Sequence, residues 1–237
     1  MSHTEPHGGG SSPALAGRLD PGDPAFAGQA DYTPWFLSHV YDPLVVGLVN
    51  PYVWRCPSST ILRLYDEHVA DRHLDVGPGT AYFLDRCRFP SPAPAITLLD
   101  VNADVLAAAS ARIERYGPRT FAANVCEPAQ LPPGGFGSIA LGHLLHCLPG
   151  DLEVKGRVLD HLVPLLRPGG VLFGSTILHG GVRHTPVSRA LLRFLNLRGV
   201  FSNLEDDARG LEQALAARFA SSEVRIHGAV ALFTGRV

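Results

Sequence analysis

Carboxylates, closely spaced glycines and histidines follow predicted strands at several places in the sequence. In Asp75-Val76-Gly77-Pro78-Gly79-Thr80, an apolar stretch ends in two glycines separated by one residue. Glycine has no Cβ atom and adopts positive φ readily, so a ligand can approach the backbone of such a turn closely. Asp75 adds a carboxylate that can accept a hydrogen bond from an ammonium group. The segment therefore predicts a small-molecule site at the end of a strand.

A second carboxylate, Asp100, ends the apolar stretch Ala95–Leu99. An acid about 20 residues beyond a glycine-rich turn can accept hydrogen bonds from the hydroxyls of a ribose. A dinucleotide site shares this spacing but requires Gly-x-Gly-x-x-Gly, whose third glycine lets the helix pack closely against the strand. Tyr82 occupies the third position here, which counts against NAD and FAD.

Two histidines, His143 and His146, come directly after a predicted strand. An imidazole can take a proton from a hydroxyl group near neutral pH, which makes each of them a candidate general base. The alternative is that His143 contacts a bound cofactor and that His146 packs in the following turn. Tyr41, a hydroxyl-bearing residue in the aromatic N-terminal region, is a third catalytic candidate.

Strands and helices alternate from His73 onward, which predicts a doubly wound parallel sheet. Two strand-like runs near the end of the chain are separated by Gly228 alone, and so short a connection can only form a hairpin. One strand must therefore run antiparallel to the others. The predicted strands are His73–Val76, Ala95–Leu99, Thr120–Ala123, Gly137–Leu141, Val171–Thr176, Glu223–His227 and Ala229–Gly235. The predicted helices are Thr80–Arg88, Ala103–Tyr116, Leu152–Leu166, Pro186–Leu197 and Leu204–Phe219.

The N-terminal region divides into two parts before the sheet domain, residues 73–237. Residues 1–30 are rich in Gly, Pro, Ser and Ala, which predicts a disordered tail. Residues 31–72 are apolar and aromatic at helical spacing, with prolines that predict several short helices forming a cap. An aromatic cap suits a flat or apolar substrate, although packing within the cap is the alternative. The predicted substrate contacts are Tyr32, His39, Trp54 and, from the loop after the fifth strand, His179.

Composition excludes several classes of partner. The 237 residues carry a net charge of -2, with 46% hydrophobic and 18% charged residues, so neither nucleic acid nor an anionic membrane is an expected partner. The four cysteines form no C-x-x-C pair, and no metal site is predicted. Because no signal peptide or membrane span is evident, we expect a cytoplasmic protein acting on a small molecule. A homodimer is compatible with the sequence.

Together these segments resemble the class I S-adenosylmethionine (SAM)-dependent methyltransferases, whose first motif reads like (D/E)-x-G-x-G-T. Phe136–Pro149 is similar to the family's fourth-strand motif, and Leu166–Gly170 to its turn before the fifth strand. Gly137 and Asn124 depart from the acids usual at those positions. The resemblance implies SAM as cofactor and a seven-stranded α/β sheet with one antiparallel strand and an N-terminal helical cap. The cofactor contacts it implies are Asp75, Gly77, Pro78, Gly79, Thr80, Asp100, Val101, Asn124, Val125, His143 and Leu144.

The resemblance predicts methyl transfer to O, N or C of a small, aromatic or lipophilic acceptor of natural-product type. One alternative is a protein of the same fold that binds SAM without catalysis. Another is an NAD-dependent oxidoreductase, which Tyr82 and the terminal hairpin disfavour.

Overall fold

The computed structural model describes residues 37–128, 131 and 135–237, with the backbone alone for residues 37–41. The predicted tail, residues 1–30, and Tyr32 lie outside the described residues.

A single mixed sheet of seven strands forms the centre of the molecule, in the order β3-β2-β1-β4-β5-β7-β6. Strands β1 to β5 pair in parallel, and β7 pairs antiparallel with both β5 and β6. This arrangement confirms the predicted fold class. The strands are β1 (Arg72–Val76), β2 (Ala95–Asp100), β3 (Arg119–Ala122), β4 (Phe136–Gly142), β5 (Leu166–Ile177), β6 (Ser221–His227) and β7 (Val230–Arg236).

Within the described residues, six α-helices and an N-terminal π-helical segment, Leu37–Val53, surround the sheet. Several helices begin at a side chain that accepts from the first free backbone amides, as Asn102, Thr185 and Asp207 do. The helices are α1 (Ser58–His68), α2 (Tyr82–Arg86), α3 (Ala103–Arg112), α4 (Leu152–Leu162), α5 (Pro186–Leu197) and α6 (Ala208–Ala216).

The structure departs from the predicted elements at several places. Pro43 and Pro51 lie inside the N-terminal π-helical segment, so the chain accommodates them by wider winding and not by ending a helix. β5 begins at Leu166, which pairs with Phe136, and the register then shifts before the regular pairs begin. α6 begins later than predicted because Asp207 caps it.

Buried apolar side chains form two clusters, one on each face of the sheet. Consecutive strand residues alternate between them: Ile139 and Leu141 belong to one cluster and Ala140 to the other. Helices α4 and α6 pack on the first face, whereas α1, α3 and α5 pack on the second. Within the described part of the chain, no helix is both long and apolar enough to cross a membrane.

Candidate active site

A cleft lies at the carboxyl ends of β1, β2 and β4. Its empty volume is about 900 Å³, including the part open to solvent. A smaller cavity of about 410 Å³ adjoins it, and both are lined by Gly77, Asp100 and Leu144. The two spaces together bring the glycine turn, the end of β2 and the loop after β4 into one site, where ligands of doubly wound sheets bind.

The glycine turn has the backbone conformation that its sequence predicts. Gly77 and Gly79 have φ values of 67° and 54°, in the left-handed region. A Cβ atom on Gly77 would lie 2.8 Å from Cδ1 of Leu144. The amide of Gly77 donates to the carbonyl of Leu99 over 2.8 Å, which fixes the turn against β2. Ala81 is also left-handed, and α2 therefore begins at Tyr82 instead of Thr80.

Asp75, at the carboxyl end of β1, is buried beside this turn. Its Oδ2 accepts a hydrogen bond of 3.1 Å from the hydroxyl of Tyr65, whose pKa is raised by burial and by the neighbouring carboxylate. Oδ1 of Asp75 has no hydrogen-bond partner among the described residues. A buried carboxylate oxygen without a partner is costly unless a ligand supplies a donor, so the position fits an ammonium group.

Asp100 ends β2 and lines both spaces. Burial raises the pKa of its carboxyl to about 6, although the backbone amides of Asn102 and Val101 oppose the shift. Its Oδ1 accepts from the amide of Asn102 over 2.8 Å. Ligand hydroxyls that donate to this carboxylate would favour its charged form.

The smaller cavity has mainly apolar walls, to which Val101 and Val125 contribute. Asn124 also lines it, and its Oδ1 accepts from the amide of Cys126 over 2.9 Å. Such a slot suits a flat heterocycle that is recognised at one polar edge.

His143 lines the large cleft directly after β4. It has a φ of 56°, and its amide donates to the carbonyl of Ser175 over 2.9 Å. Neither ring nitrogen has a hydrogen-bond partner in the described part of the chain. Burial lowers the pKa of the imidazole to about 4, so the ring is neutral at pH 7 and presents one acceptor nitrogen.

The structure places His146 differently. It does not line the cleft; its Nδ1 accepts from the amide of Ile177 over 3.2 Å, and its ring packs against Phe201 with centroids 4.4 Å apart. Burial lowers its pKa well below the usual value. These contacts favour a packing role, the alternative that the sequence left open.

The structure does not bring two of the predicted substrate contacts into the cleft. Trp54 belongs to the core: it is 2% exposed and packs against Phe201, and its carbonyl accepts from the amide of Ala229, which draws it toward the sheet. His179 is exposed and does not line the cleft, because its amide donates to the carbonyl of Asp206 and holds this loop near α6. His39 and Tyr41 lie where only the backbone is described, so their predicted roles stay predictions.

Other site residues carry no motif that could have revealed them. Tyr65 lines the cleft from α1, and Asn50 lines it from the N-terminal segment. The Asp42 carboxylate bridges two other elements: it accepts from Oγ1 of Thr80 over 2.6 Å and pairs with Arg112 over 2.6 Å. Arg112 also donates to Thr80 over 2.9 Å. This cluster, called here the Asp42–Thr80–Arg112 clasp, fastens the N-terminal segment to the glycine turn and α3.

A doubly wound sheet with one antiparallel strand, a two-glycine turn after β1 and an acid ending β2 are the features of a Rossmann-like fold with a nucleoside-binding site. A family model described as "Methyltransferase domain" matches residues 74–172. Demethylluteothin O-methyltransferase of Streptomyces thioluteus is 38% identical over 206 residues, which cover 87% of this chain and 89% of that protein.

Further relatives extend the similarity. The Physcion biosynthesis cluster O-methyltransferase of Aspergillus chevalieri is 35% identical over 212 residues, covering 89% of this chain and 95% of that protein. A solved structure described as the DhpI-SAH complex has a TM-score of 0.62 at 17% identity and covers 89% and 95% of the two chains. SAH is S-adenosylhomocysteine, the demethylated form of SAM. The chain belongs to the class I SAM-dependent methyltransferases, and SAM is its cofactor.

Proposed function

We propose that the protein transfers the methyl group of SAM to a hydroxyl oxygen of a small, largely apolar acceptor. The observation that carries this proposal is His143, whose neutral imidazole has two buried ring nitrogens without a hydrogen-bond partner among the described residues and lies in the wall of the cleft that contains the glycine turn. Such a ring can accept a hydrogen bond, and then a proton, from a hydroxyl group.

The cleft has two halves in this proposal. The cofactor half comprises the glycine turn, Asp100 and Asn124, with Asp75 buried beside the turn and outside the lining of either space; the acceptor half comprises Asn50, His143 and Val200. In the cofactor half, Oδ1 of Asp75 would receive the ammonium group, Asp100 the ribose hydroxyls and Asn124 the adenine edge. The unpartnered Oδ1 and the backbone that only glycine leaves accessible at Gly77 fit these groups.

When bound, SAM supplies a methyl group on a sulfonium, which is already a strong electrophile. The chain therefore has to align a nucleophile and exclude water, and alignment alone can supply about 7–11 kcal/mol in favourable cases. An oxygen that gains an alkyl group becomes strongly acidic, so an imidazole with a pKa of about 4 is basic enough to accept its proton. His143 then holds that proton on a ring nitrogen until solvent removes it.

The acceptor class is inferred from the walls of the cleft and from the relatives. Val45, Val46 and Val200 contribute apolar surface, and no lysine or arginine is among the described residues that line the cleft. Two relatives are named as O-methyltransferases, one of them in a biosynthesis cluster. A neutral natural-product-like molecule with a hydroxyl group fits these features.

We also infer that the protein acts in the cytoplasm. Analytical ultracentrifugation would decide whether it is a monomer or a homodimer.

Replacement of His143 tests the proposal. With [methyl-³H]SAM and an extract containing hydroxylated aromatic compounds, the wild type should form methyl ethers, and His143→Ala should reduce kcat by about 100-fold, within the range for general bases. SAH affinity should stay within about threefold of wild type. His184→Ala, which alters a histidine outside the cleft, is the control and should leave kcat unchanged. Wild-type kcat in His143→Ala would overturn the assignment.

A further inference from the structure

Asn50 is a buried amide in the cleft with an unused donor. The residue is 1% exposed and lines the cleft from the N-terminal segment. Its Nδ2 has no hydrogen-bond partner within the described ranges. A buried donor left without a partner destabilises the fold, and a ligand oxygen that accepts from it would offset this cost.

The two ends of the N-terminal segment lie at different parts of the site. Its Asp42 end is fastened by the clasp to Thr80 and Arg112, in the region of the glycine turn. At the other end, the carbonyl of Asn50 accepts from the amide of Cys56, and the chain continues to Trp54, whose carbonyl accepts from Ala229 just before β7. β7 pairs with β5, on the side of β4 away from β2 and β3. Asn50 therefore lies on the side of the cleft away from β2 and β3, the side that the proposed function assigns to the acceptor.

The acceptor half thus contains two unpartnered groups in largely apolar walls. Nδ2 of Asn50 is a donor, and the neutral ring of His143 has one acceptor nitrogen and one N–H donor, both without a partner among the described residues. A molecule that satisfies both must offer a hydroxyl hydrogen and an oxygen lone pair. Because no lysine or arginine lines the described part of the cleft, a carboxylate would be buried without a counter-ion there. A neutral carbonyl oxygen suits the Asn50 amide better.

We propose that Asn50 is a specificity-determining residue, which donates from Nδ2 to a carbonyl oxygen of the methyl acceptor while the hydroxyl of the same molecule donates to His143. The substrate class is then a hydroxylated aromatic or conjugated carbonyl compound. This inference rests on the proposed O-methyl transfer. It adds a carbonyl group to the acceptor, a feature that methylation of a hydroxyl does not itself require.

Matched pairs of simple acceptors test the assignment. The probes are 2′-, 3′- and 4′-hydroxyacetophenone, each compared with the ethylphenol of the same substitution pattern, which has a similar shape but no carbonyl. Their Kd values are measured by calorimetry on the SAH-loaded protein, for the wild type and for Asn50→Leu. Asn196→Leu is the control, because the Asn196 amide is fully engaged with Leu192 and Asn203 outside the cleft.

The wild type should bind the ketone of at least one pair about tenfold more tightly than its ethylphenol, the ratio expected for a hydrogen bond that satisfies a buried donor. In Asn50→Leu this ratio should fall to about one, with SAH affinity within about twofold of wild type. The Tm should not fall, since the lost amide donor had no partner among the described residues. Asn196→Leu should lower the Tm and keep the ratio.

Three results would overturn the assignment of Asn50. They are a ketone preference that persists in Asn50→Leu, a loss of SAH affinity in that variant, and no preference or no binding in the wild type for any pair. Failure of the proposed function has a different signature. In that case the wild type would show the ketone preference in binding, but would form no methyl ether when SAM replaces SAH.

Discussion

The cofactor half and the acceptor half of the cleft are built in different ways. The cofactor half comes from residues at the ends of neighbouring strands, and hydrogen bonds within the protein fix much of it: the Gly77 amide donates to the Leu99 carbonyl, and the Asp100 carboxylate accepts from the Asn102 amide. The acceptor half joins Asn50, His143 and Val200 from distant parts of the chain. Nδ2 of Asn50 and both ring nitrogens of His143 lack partners among the described residues, as does Oδ1 of Asp75 in the cofactor half. The difference indicates a cofactor site whose backbone is already fixed, beside an acceptor site whose polar groups the substrate has to satisfy.

The largest effect should come from filling the glycine turn. Gly77→Val should reduce SAH affinity by more than about 100-fold, because Val would clash with Leu144 and is strained at positive φ. Gly117→Val is the matched control: Gly117 has a φ of 56°, but a Cβ atom added there would meet nothing within 4 Å. Calorimetry with SAH should show near-normal binding in this control. If both variants lost the same SAH affinity, the cause would be a less stable fold, and not a side chain that blocks the approach of the ligand to the glycine turn.

Removal of the Asp100 charge should have the next largest effect. Asp100→Asn should weaken SAH binding by roughly 10- to 150-fold, because hydrogen bonds to a charged acceptor contribute about 1.5–3 kcal/mol. The exposed Asp104 on α3 offers a control of the same charge. If Asp104→Asn and Asp100→Asn bind SAH equally well, the ribose assignment is wrong.

The pKa of Asp100 makes cofactor binding depend on pH. In the protein without ligand the carboxyl has a raised pKa of about 6, so it is mostly charged at pH 7.5 and mostly protonated at pH 5. Donor hydroxyls favour the charged form, and SAH affinity should therefore fall about tenfold from pH 7.5 to pH 5. This dependence should flatten in Asp100→Asn. An unchanged pH profile in that variant would assign the titration to another group.

The smallest effect should come from the clasp, which links the two halves through the N-terminal segment. Arg112→Ala removes an ion pair whose side chains are 25% and 19% exposed. We therefore expect the free energy of SAH binding to weaken by about 0.5–1 kcal/mol. SAH should bind about two- to fivefold more weakly and dissociate faster in stopped-flow displacement. Arg115→Ala, which breaks an exposed pair with Asp85, should leave both quantities unchanged.

The difference between the cofactor half and the acceptor half also explains which features could be predicted from the sequence. The alternation of strands and helices and the closing hairpin are local patterns, and the structure confirms them. Gly77 and Asp100 follow from the same patterns and lie in the turn after β1 and at the end of β2. α5 matches its predicted bounds because Thr185 caps it and Pro186 starts it.

The acceptor half offered no such local pattern. Asn50 resembles any other helical residue in the sequence until the fold buries its amide without a partner among the described residues. The aromatic character of Trp54 suggested a substrate contact, but a large apolar ring also packs well in a hydrophobic core, where the structure places it. Asp42 and Arg112 are far apart in the sequence, and only the packing of the N-terminal segment on α3 makes them a pair.

A crystal structure of the complex with SAH is the most direct test that the cofactor occupies one half of the cleft and leaves the other half to the methyl acceptor. In that structure the ribose hydroxyls should lie within hydrogen-bond distance of Asp100, adenine should lie in the cavity lined by Asn124, and the sulfur should face His143. SAH bound elsewhere, or with its ribose out of reach of Asp100, would contradict this division of the cleft.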